Sequence, residues 1–511
     1  MSVSPESAHL DTNPRWAYFA CFTLIAISYF SFGLSLDRYP PFWFDEAQFN
    51  MPAARFIEGH GFNWRMTPDM PHGDTIWAVH GPFYPRLQVI TFKLLGVTQF
   101  ACRILPYLAG HLALAVLCLY FLRCGYWKIA IVLPVIWMGD RSFMELQAGR
   151  PDGLALLCLV IGFICLSHVI LTGTIGWSAG FAACLGLVAG FHPVAFYFGC
   201  SSVVLLAFTM PPRAWPRLML GFCLGGILPV VLWLVCWVPQ FTESFQQFRW
   251  FIQLGHLAWA HRSRFDIIGL IRWSKWWLLG LSMVVLFWLI PYAISLLRQR
   301  KSGQRLVLTD IWILCSTAFA CAFFLVFAHA KWMLPPYLIY FTIWPVLALL
   351  ILWDTGVRKG LWANSYKIVI GIAVACWLPS AAWNTMRLRE VILHYRSLDS
   401  APFAAKLHNT IPEGATVTGT ILSDQLIVTH KAGLKYQALS DYIGTNVTAI
   451  ATSWLLVAEE DLRRKFFSEA TFVNREVFLD ESEFPDVKYH PMRHHYLLYG
   501  PVGMVRTPKV R

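Results

Sequence analysis

The stretch "WAYFACFTLIAISYFSFGLSL", residues 16–36, carries no charge from end to end. About 20 apolar residues are enough to cross a bilayer as a helix, the one open chain form that satisfies its own backbone groups in hydrocarbon. No early basic region and no small-residue cleavage site followed by a mature domain accompany this run. It therefore reads as a retained first span and not as a removable leader. Directly behind it comes "PPFWFDEAQF", residues 40–49, in which an aromatic run ends on two adjacent acids, Asp45 and Glu46.

The rest of the chain repeats the first pattern. Hydrophobic residues make up 57% and charged residues only 14%, with a mean hydropathy of +0.52. Soluble domains carry roughly 25% charged residues. Apolar runs fall at 16–36, 103–122, 125–139, 152–171, 175–190, 193–210, 217–238, 274–297, 308–328, 334–353 and 366–384, so about eleven spans are expected. The fold class is thus a polytopic α-helical membrane protein. The net charge of +12 does not point to nucleic acid, because the basic residues cluster in short links and form no basic face on a soluble module. Arg213 and Arg217, then Arg298, Arg300, Lys301 and Arg305, then Arg358, Lys359 and Lys367 mark those links. By the positive-inside rule they lie in the cytoplasm. An odd number of spans then leaves the N-terminus cytoplasmic and the tail outside, together with segments 37–102, 140–151, 239–273, 329–333 and the turn at 191–192. All 13 Cys lie at or before Cys376, mostly inside apolar runs and without paired metal spacing, so they read as small buried hydrophobes.

Two domains are expected: a membrane part over 1–384 and a small α/β part over 385–511. In the first outer loop, 37–102, Asp45 with Gln48 three residues on is a weak capping-box pattern. Phe49, Ala53, Phe56 and Ile57 follow at helical spacing, with Pro52 predicting a kink or two pieces and Gly59 and Gly61 an end. The stretch 81–96 reads as a helix lying along the interface. Trp43, Trp64 and Trp77 read as interfacial anchors. In the tail, 415–421, 453–458 and 495–500 read as strands and 401–411 and 459–470 as helices.

Ionisable groups collect in the outer segments: Asp45 and Glu46; Asp140, Arg141, Glu145, Arg150 and Asp152; His80, His192 and Lys331. Such groups at membrane depth are costly and have a partner or a task. Arg150, two residues before Asp152, is a natural ion-pair partner. A carboxylate can take the proton of a hydroxyl, and Arg, His and Lys can hold a phosphate as it leaves. Each has a plainer reading alone. Asp45-Glu46 fits a helix cap, Arg150-Pro151-Asp152 a helix start, His192-Pro193 a turn, and Lys331 a snorkelling span end.

Five stretches in order carry a resemblance: "FWFDEAQF", "HGPFYPRLQVITFKLLGVTQFACRILPYLAGHLALA", "AGRPDGLALL", "GLVAGFHPVAF" and "AKWMLPPYLIYFTIWPVLALL". Together they resemble the bacterial branch of the protein O-mannosyltransferase-like GT-C glycosyltransferases, the group of the aminoarabinose and galacturonic acid transferases. The resemblance implies roles. Asp45 is the catalytic base, with Glu46 beside it to orient acceptor or sugar. Asp152 is the acid of the second outer loop, and Arg150 its neighbouring cation. His80 stands where related transferases often place a Lys before Pro-Pro, and His192 where some relatives carry Lys, so charges that are permanent there titrate near neutrality here. Arg150, His80, His192 and Lys331 are then the donor-phosphate ligands.

The expected function is inverting transfer of one sugar from a polyprenyl-phosphate donor to a hydroxyl acceptor, on lipid, glycan or protein, at the outer face of the cytoplasmic membrane. One displacement by an activated hydroxyl inverts the anomeric carbon and needs no covalent intermediate. No cofactor is required; a divalent ion between Asp45 and Asp152 is conceivable. Membrane lipids are partners and nucleic acid is not. The rival from another class is a transporter or flippase of lipid-linked sugars, which calls for midplane charges and paired broken helices.

Overall fold

A computed structural model describes residues 14–38, 44–64, 70–78, 80–140, 145–237, 240–260, 280–329, 338–359, 364–394, 401–419, 429–438 and short strands beyond. The membrane part is built of α1 (Arg15–Gly33), α2 (Phe44–Ile57), α3 (Phe83–Leu95), α4 (Gln99–Arg123), α5 (Trp127–Gly139), α6 (Asp152–Thr172), α7 (Ile175–Phe191), α8 (Ala195–Thr209), α9 (Trp215–Trp237), α10 (Phe241–Ala260), α11 (Gly280–Lys301), α12 (Leu308–His329), α13 (Ile339–Lys359) and α14 (Asn364–His394). Among the described residues, five helices are long and apolar enough to cross a membrane: α1, α4, α6, α11, and α9 with the turn before it, Pro212–Cys236. Shorter apolar helices, α5, α7 and α8 among them, stand between these. Large apolar side chains such as Phe19, Leu94 and Val235 point away from the protein, each more than 70% exposed, as lipid-facing residues do.

In lipid the hydrophobic effect gives no reason for helices to associate, so close packing must supply it. Gly221 and Gly225, one turn apart on α9, show this. A Cβ at Gly225 would land on the Ala179 carbonyl of α7, and one at Gly221 on the Ser178 hydroxyl. The two backbones approach because neither glycine carries a side chain. Further along, α7 packs on α6, α6 on α4, and α12 on α8 and α13, around a core that includes Phe163, Phe198, Phe319 and Trp344.

Helix α2 is continuous through Pro52 and not divided into two pieces. Asn50 before the proline bonds to the Gly149 carbonyl, and Ala53 and Ala54 after it pack into the Trp64–Trp77 cluster, which holds the helix in one line. Since α2 already includes Phe44, Asp45 sits inside its first turn and not at the cap, where an acid still suits the helix dipole. Gly59 and Gly61 follow with φ of 88° and 85°, a left-handed path that glycine takes at little cost. Trp64 and Trp77 are 1% and 3% exposed, so they are core residues and not interfacial anchors. They pack with Met51, Met70 and Tyr436; the loop folds back over them instead of presenting them to headgroups. Trp43 lies outside the described residues.

Among the described residues the tail carries α15 (Ala401–Thr410) and eight strands, β1 (Thr416–Gly419), β2 (Lys435–Ala438), β3 (Ala449–Ile450), β4 (Trp454–Ala458), β5 (Phe472–Val473), β6 (Val477–Asp480), β7 (Tyr496–Tyr499) and β8 (Met504–Arg506). A five-stranded mixed sheet runs β2-β1-β4-β7-β6, and a three-stranded one β3-β8-β5. β1 is parallel to β2 and β4, while β7 is antiparallel to β4 and β6. Phe403 and Leu407 of α15 cover Val417 and Trp454. The helix expected at 459–470 lies outside the described residues. The tail meets the membrane part through Tyr436 on the Trp64–Trp77 cluster and through His430 Nε2, 3.4 Å from Glu58 Oε1.

Candidate active site

The N-terminal ends of α2, α4 and α6 meet in one polar knot. Glu46 is fully buried on α2. Its Oε2 accepts from Arg103 Nε and its Oε1 from Arg103 Nη2, each at 2.7 Å, and the Gly149 N–H donates to Oε2 at 2.7 Å. Asn50, one turn along, donates to the Gly149 carbonyl at 2.6 Å and to the Glu46 carbonyl at 2.7 Å. Tyr84 of α3 closes the knot by donating to Asn50 Oδ1 at 3.4 Å and to the Cys102 carbonyl at 3.2 Å. Two-pronged, charge-assisted bonds fix direction as well as distance. The knot therefore sets the course of the chain at Gly149, one residue before Arg150.

Arg150 and Asp152 follow that anchor, 1% and 3% exposed. Arg150 Nε donates to Asp152 Oδ2 at 2.8 Å, and the Tyr340 hydroxyl of α13 donates to Oδ1 at 2.8 Å. Both carboxylate oxygens thus have a donor. The Arg150 guanidinium lies 5.0 Å over the Phe49 ring. The opposite neighbour of Phe49 is His80, with ring centroids 4.6 Å apart. His80 in turn stacks on His192 at 6.1 Å, and His192 meets Tyr340 at 5.9 Å. Arg150, Phe49, His80, His192, Tyr340 and Asp152 form a closed circuit of contacts.

Two glycines make the junction of His80 with His192 possible. A Cβ at Gly81 would land on the Gly190 carbonyl, and one at Gly190 on the Phe83 ring. The 80–83 turn consequently lies directly on the last turn of α7. The Val194 N–H donates to His192 Nδ1 at 3.2 Å, so Nδ1 is the acceptor and the ring proton is carried by Nε2. Burial drives the His192 pKa down to about 4; Asp152 opposes this and Arg150 reinforces it. His80 is held well below the ordinary histidine value, first by burial, then by His192 and Arg150. Both imidazoles are therefore neutral at neutral pH.

From His80 an apolar cavity of about 900 Å³ runs between α7, α8 and α9. Phe181, Leu185, Phe196, Val203, Trp233 and Phe248 line it, and Pro193 shares its polar end. An apolar cavity with the His80 imidazole in its lining, and His192 stacked on that ring, suits a molecule with a long hydrocarbon chain and a polar head.

Of the residues expected from sequence, Glu46, His80, Arg150, Asp152 and His192 come together here. The side chain of Asp45 and all of Lys331 lie outside the described residues. Glu46 does not face the circuit: Arg103 and Gly149 take both its oxygens, whereas the sequence placed it against acceptor or sugar. Among the described residues, no three of His, Cys, Asp and Glu are grouped to hold a metal ion. Arg103, Asn50 and Tyr340 were not singled out from sequence. A lone Arg at the start of an apolar run was the available signal for Arg103; Asn50 and Tyr340 gave none.

No family model matches the chain, and no curated protein matches it by sequence. Among solved structures it is similar to ArnT from Cupriavidus metallidurans bound to undecaprenyl phosphate, with a TM-score of 0.56 and 15% identity over 94% of this chain and 98% of that one. The apo state of the same protein matches with a TM-score of 0.56 and 15% identity over 95% and 98%. The archaeal oligosaccharyltransferase AglB from Archaeoglobus fulgidus, in complex with an inhibitory peptide and a dolichol-phosphate, gives a TM-score of 0.47 and 10% identity over 88% and 70%. The chain shares the fold of ArnT along nearly its whole length.

Proposed function

We propose that this protein is an inverting membrane glycosyltransferase that moves a single sugar from a polyprenyl-phosphate donor to a hydroxyl acceptor. The observation that carries the reading is the 900 Å³ apolar cavity that ends at His80, beside His192 and Arg150. It offers a seat for a lipid chain, and the His80–His192 pair with Arg150 close by offers hydrogen-bond donors and one permanent charge for the phosphate. A solved structure of the same fold holds undecaprenyl phosphate, which supports a lipid carrier. The site lies at the outer face of the cytoplasmic membrane in this reading, with 385–511 as an extracytoplasmic domain, on the strength of the basic links.

In the reaction, the Asp45 carboxylate takes the proton of the acceptor hydroxyl. The acceptor oxygen bonds to the anomeric carbon from the face opposite the phosphate. The bond from that carbon to the phosphate oxygen breaks, and the polyprenyl phosphate leaves with one more negative charge. Arg150, the Nε2–H of His192, His80 and Lys331 take up that charge, which is worth most in a site closed to water. A phosphate close to the two imidazoles favours their protonated forms and reverses the effect of burial. Asp152, held by Arg150 and Tyr340, keeps the guanidinium aimed at the leaving oxygen. Glu46 acts through Gly149 as a positioning residue.

The test is Asp45→Asn in proteoliposomes supplied with labelled polyprenyl-phosphate sugars. Full-length, inserted protein with transfer nearly abolished is the expected outcome. Normal transfer by this variant removes Asp45 as the base.

A further inference from the structure

Helix α10 is polar for a helix in this setting, and one of its residues is buried without being apolar. Gln247 has a relative exposure of 0%. Its Nε2 donates to the carbonyls of Pro71 at 3.0 Å and Ile76 at 2.9 Å. Its Oε1 accepts from the Ala78 N–H. One amide thus satisfies three backbone groups of a loop some 170 residues away in sequence, as a neighbouring strand would. Buried backbone groups need such partners, and none of the described strands pairs with this loop.

The preceding residue grips the same loop. Gln246 Oε1 lies 2.6 Å from His72 Nε2, and His72 has φ of 57°. A left-handed non-glycine residue persists where its surroundings hold it. Here the Thr75 and Ile76 N–H groups bond to the His72 carbonyl at 3.1 and 2.9 Å, and Gln246 holds the ring. The held loop runs from Pro71 through Trp77, whose ring lies 6.2 Å from His80. Phe248, next after Gln247, lines the apolar cavity. Three consecutive residues of α10 therefore touch the loop that leads to His80 and the cavity that ends there.

We infer that Gln247 is a positioning residue for the anionic head of the lipid: its amide fixes the loop 71–78 and through it sets His80 at the polar end of the cavity. The inference rests on the proposed donor site, and it concerns a residue that touches neither donor nor acceptor. Its signature is selectivity. Loss of the clamp weakens the grip on the phosphate and leaves the grip on the hydrocarbon chain as it was.

The experiment uses the full-length protein in nanodiscs, with polyprenyl monophosphate and the matching phosphate-free polyprenol as ligands. Gln247→Met keeps length and bulk but loses all three bonds. It is expected to weaken polyprenyl phosphate about tenfold or more, from the loss of several buried hydrogen bonds, with polyprenol affinity unchanged. Gln247→Glu, which sets a buried carboxylate against the Pro71 and Ile76 carbonyls, is expected to weaken polyprenyl phosphate at least as much. Equal weakening of both lipids, or weakening of neither, overturns the inference. A wild-type protein that holds both lipids equally sinks the phosphate site itself. The clamp is then judged by hydrogen exchange at the Ala78 amide, which must quicken in Gln247→Met for it to stand.

Discussion

Replacing Glu46 by Gln separates anchoring from chemistry. The Glu46 and Arg103 side chains are both 0% exposed, and the change keeps volume while removing the counter-charge. One amide oxygen still serves Gly149 or Arg103, but not both arms of the guanidinium. Breaking a buried pair from one side costs about 3–5 kcal/mol, because the remaining charge stays buried. Arg103 also donates to the Leu36 carbonyl at 3.3 Å, which places the expected loss at the lower end, about 3 kcal/mol. Unfolding by sodium dodecyl sulfate in mixed micelles measures it. The informative partner is Glu46→Met with Arg103→Met, which removes both charges. Stability should return to within about 1–2 kcal/mol of the wild type, since well-packed apolar residues commonly replace such pairs. Transfer should stay low, because Gly149 has lost its acceptor and Arg150 its fixed approach. A single variant within about 1 kcal/mol of the wild type refutes the pair as an anchor. A stable double variant with full transfer refutes its role in placing Arg150.

Other perturbations read other parts of the circuit. Tyr340→Phe removes one donor from the buried Asp152 carboxylate, worth about 1.5–3 kcal/mol; unfolding should register a loss of that size, and kcat/KM in the lipid-donor assay should fall about tenfold or more as the carboxylate loosens its hold on Arg150. His192 resists protonation when folded, with a pKa near 4 against 6.5 for the ordinary side chain. The unfolded chain therefore binds more protons between those values. This contribution to stability is complete above about pH 6.5 and is lost as pH falls toward 4. Thermal midpoints at pH 7.5 and 5 should differ less in His192→Asn than in the wild type. Gly81→Ala drives a methyl into the Gly190 carbonyl and should cost about 1–3 kcal/mol, with donor KM rising as His80 moves off His192.

Much of the helical frame was readable because it rests on one strong signal, the long uncharged run. Even the short runs at 125–139 and 175–190 became helices α5 and α7. Helix α10 was not expected. "FTESFQQFRWFIQLGHLAWA" mixes Phe at three- and four-residue spacing with Glu, Gln and Arg, so it fails a hydropathy reading while obeying a helical one. In the site, the adjacency of Arg150 and Asp152 was legible because two residues of chain hold them together. Their dependence on Glu46 and Arg103 was not, since that bond spans 57 positions and no local pattern encodes it. The same holds for the tryptophans. Composition marks Trp64 and Trp77 as amphipathic, and only the arrival of Met51, Met70, Phe92 and, from the tail, Tyr436 around them makes them interior.

That arrival has a consequence for biogenesis. Ribosomes deliver a chain from its N-terminus, and each part begins to fold as it emerges. The loop bearing Trp64 and Trp77 is made early, whereas Tyr436 of β2 and His430 come hundreds of residues later. Until then the Trp64–Trp77 cluster lacks its Tyr436 contact. Docking of the tail is thus a late step in synthesis, and a prematurely terminated product would leave this side of the loop uncovered.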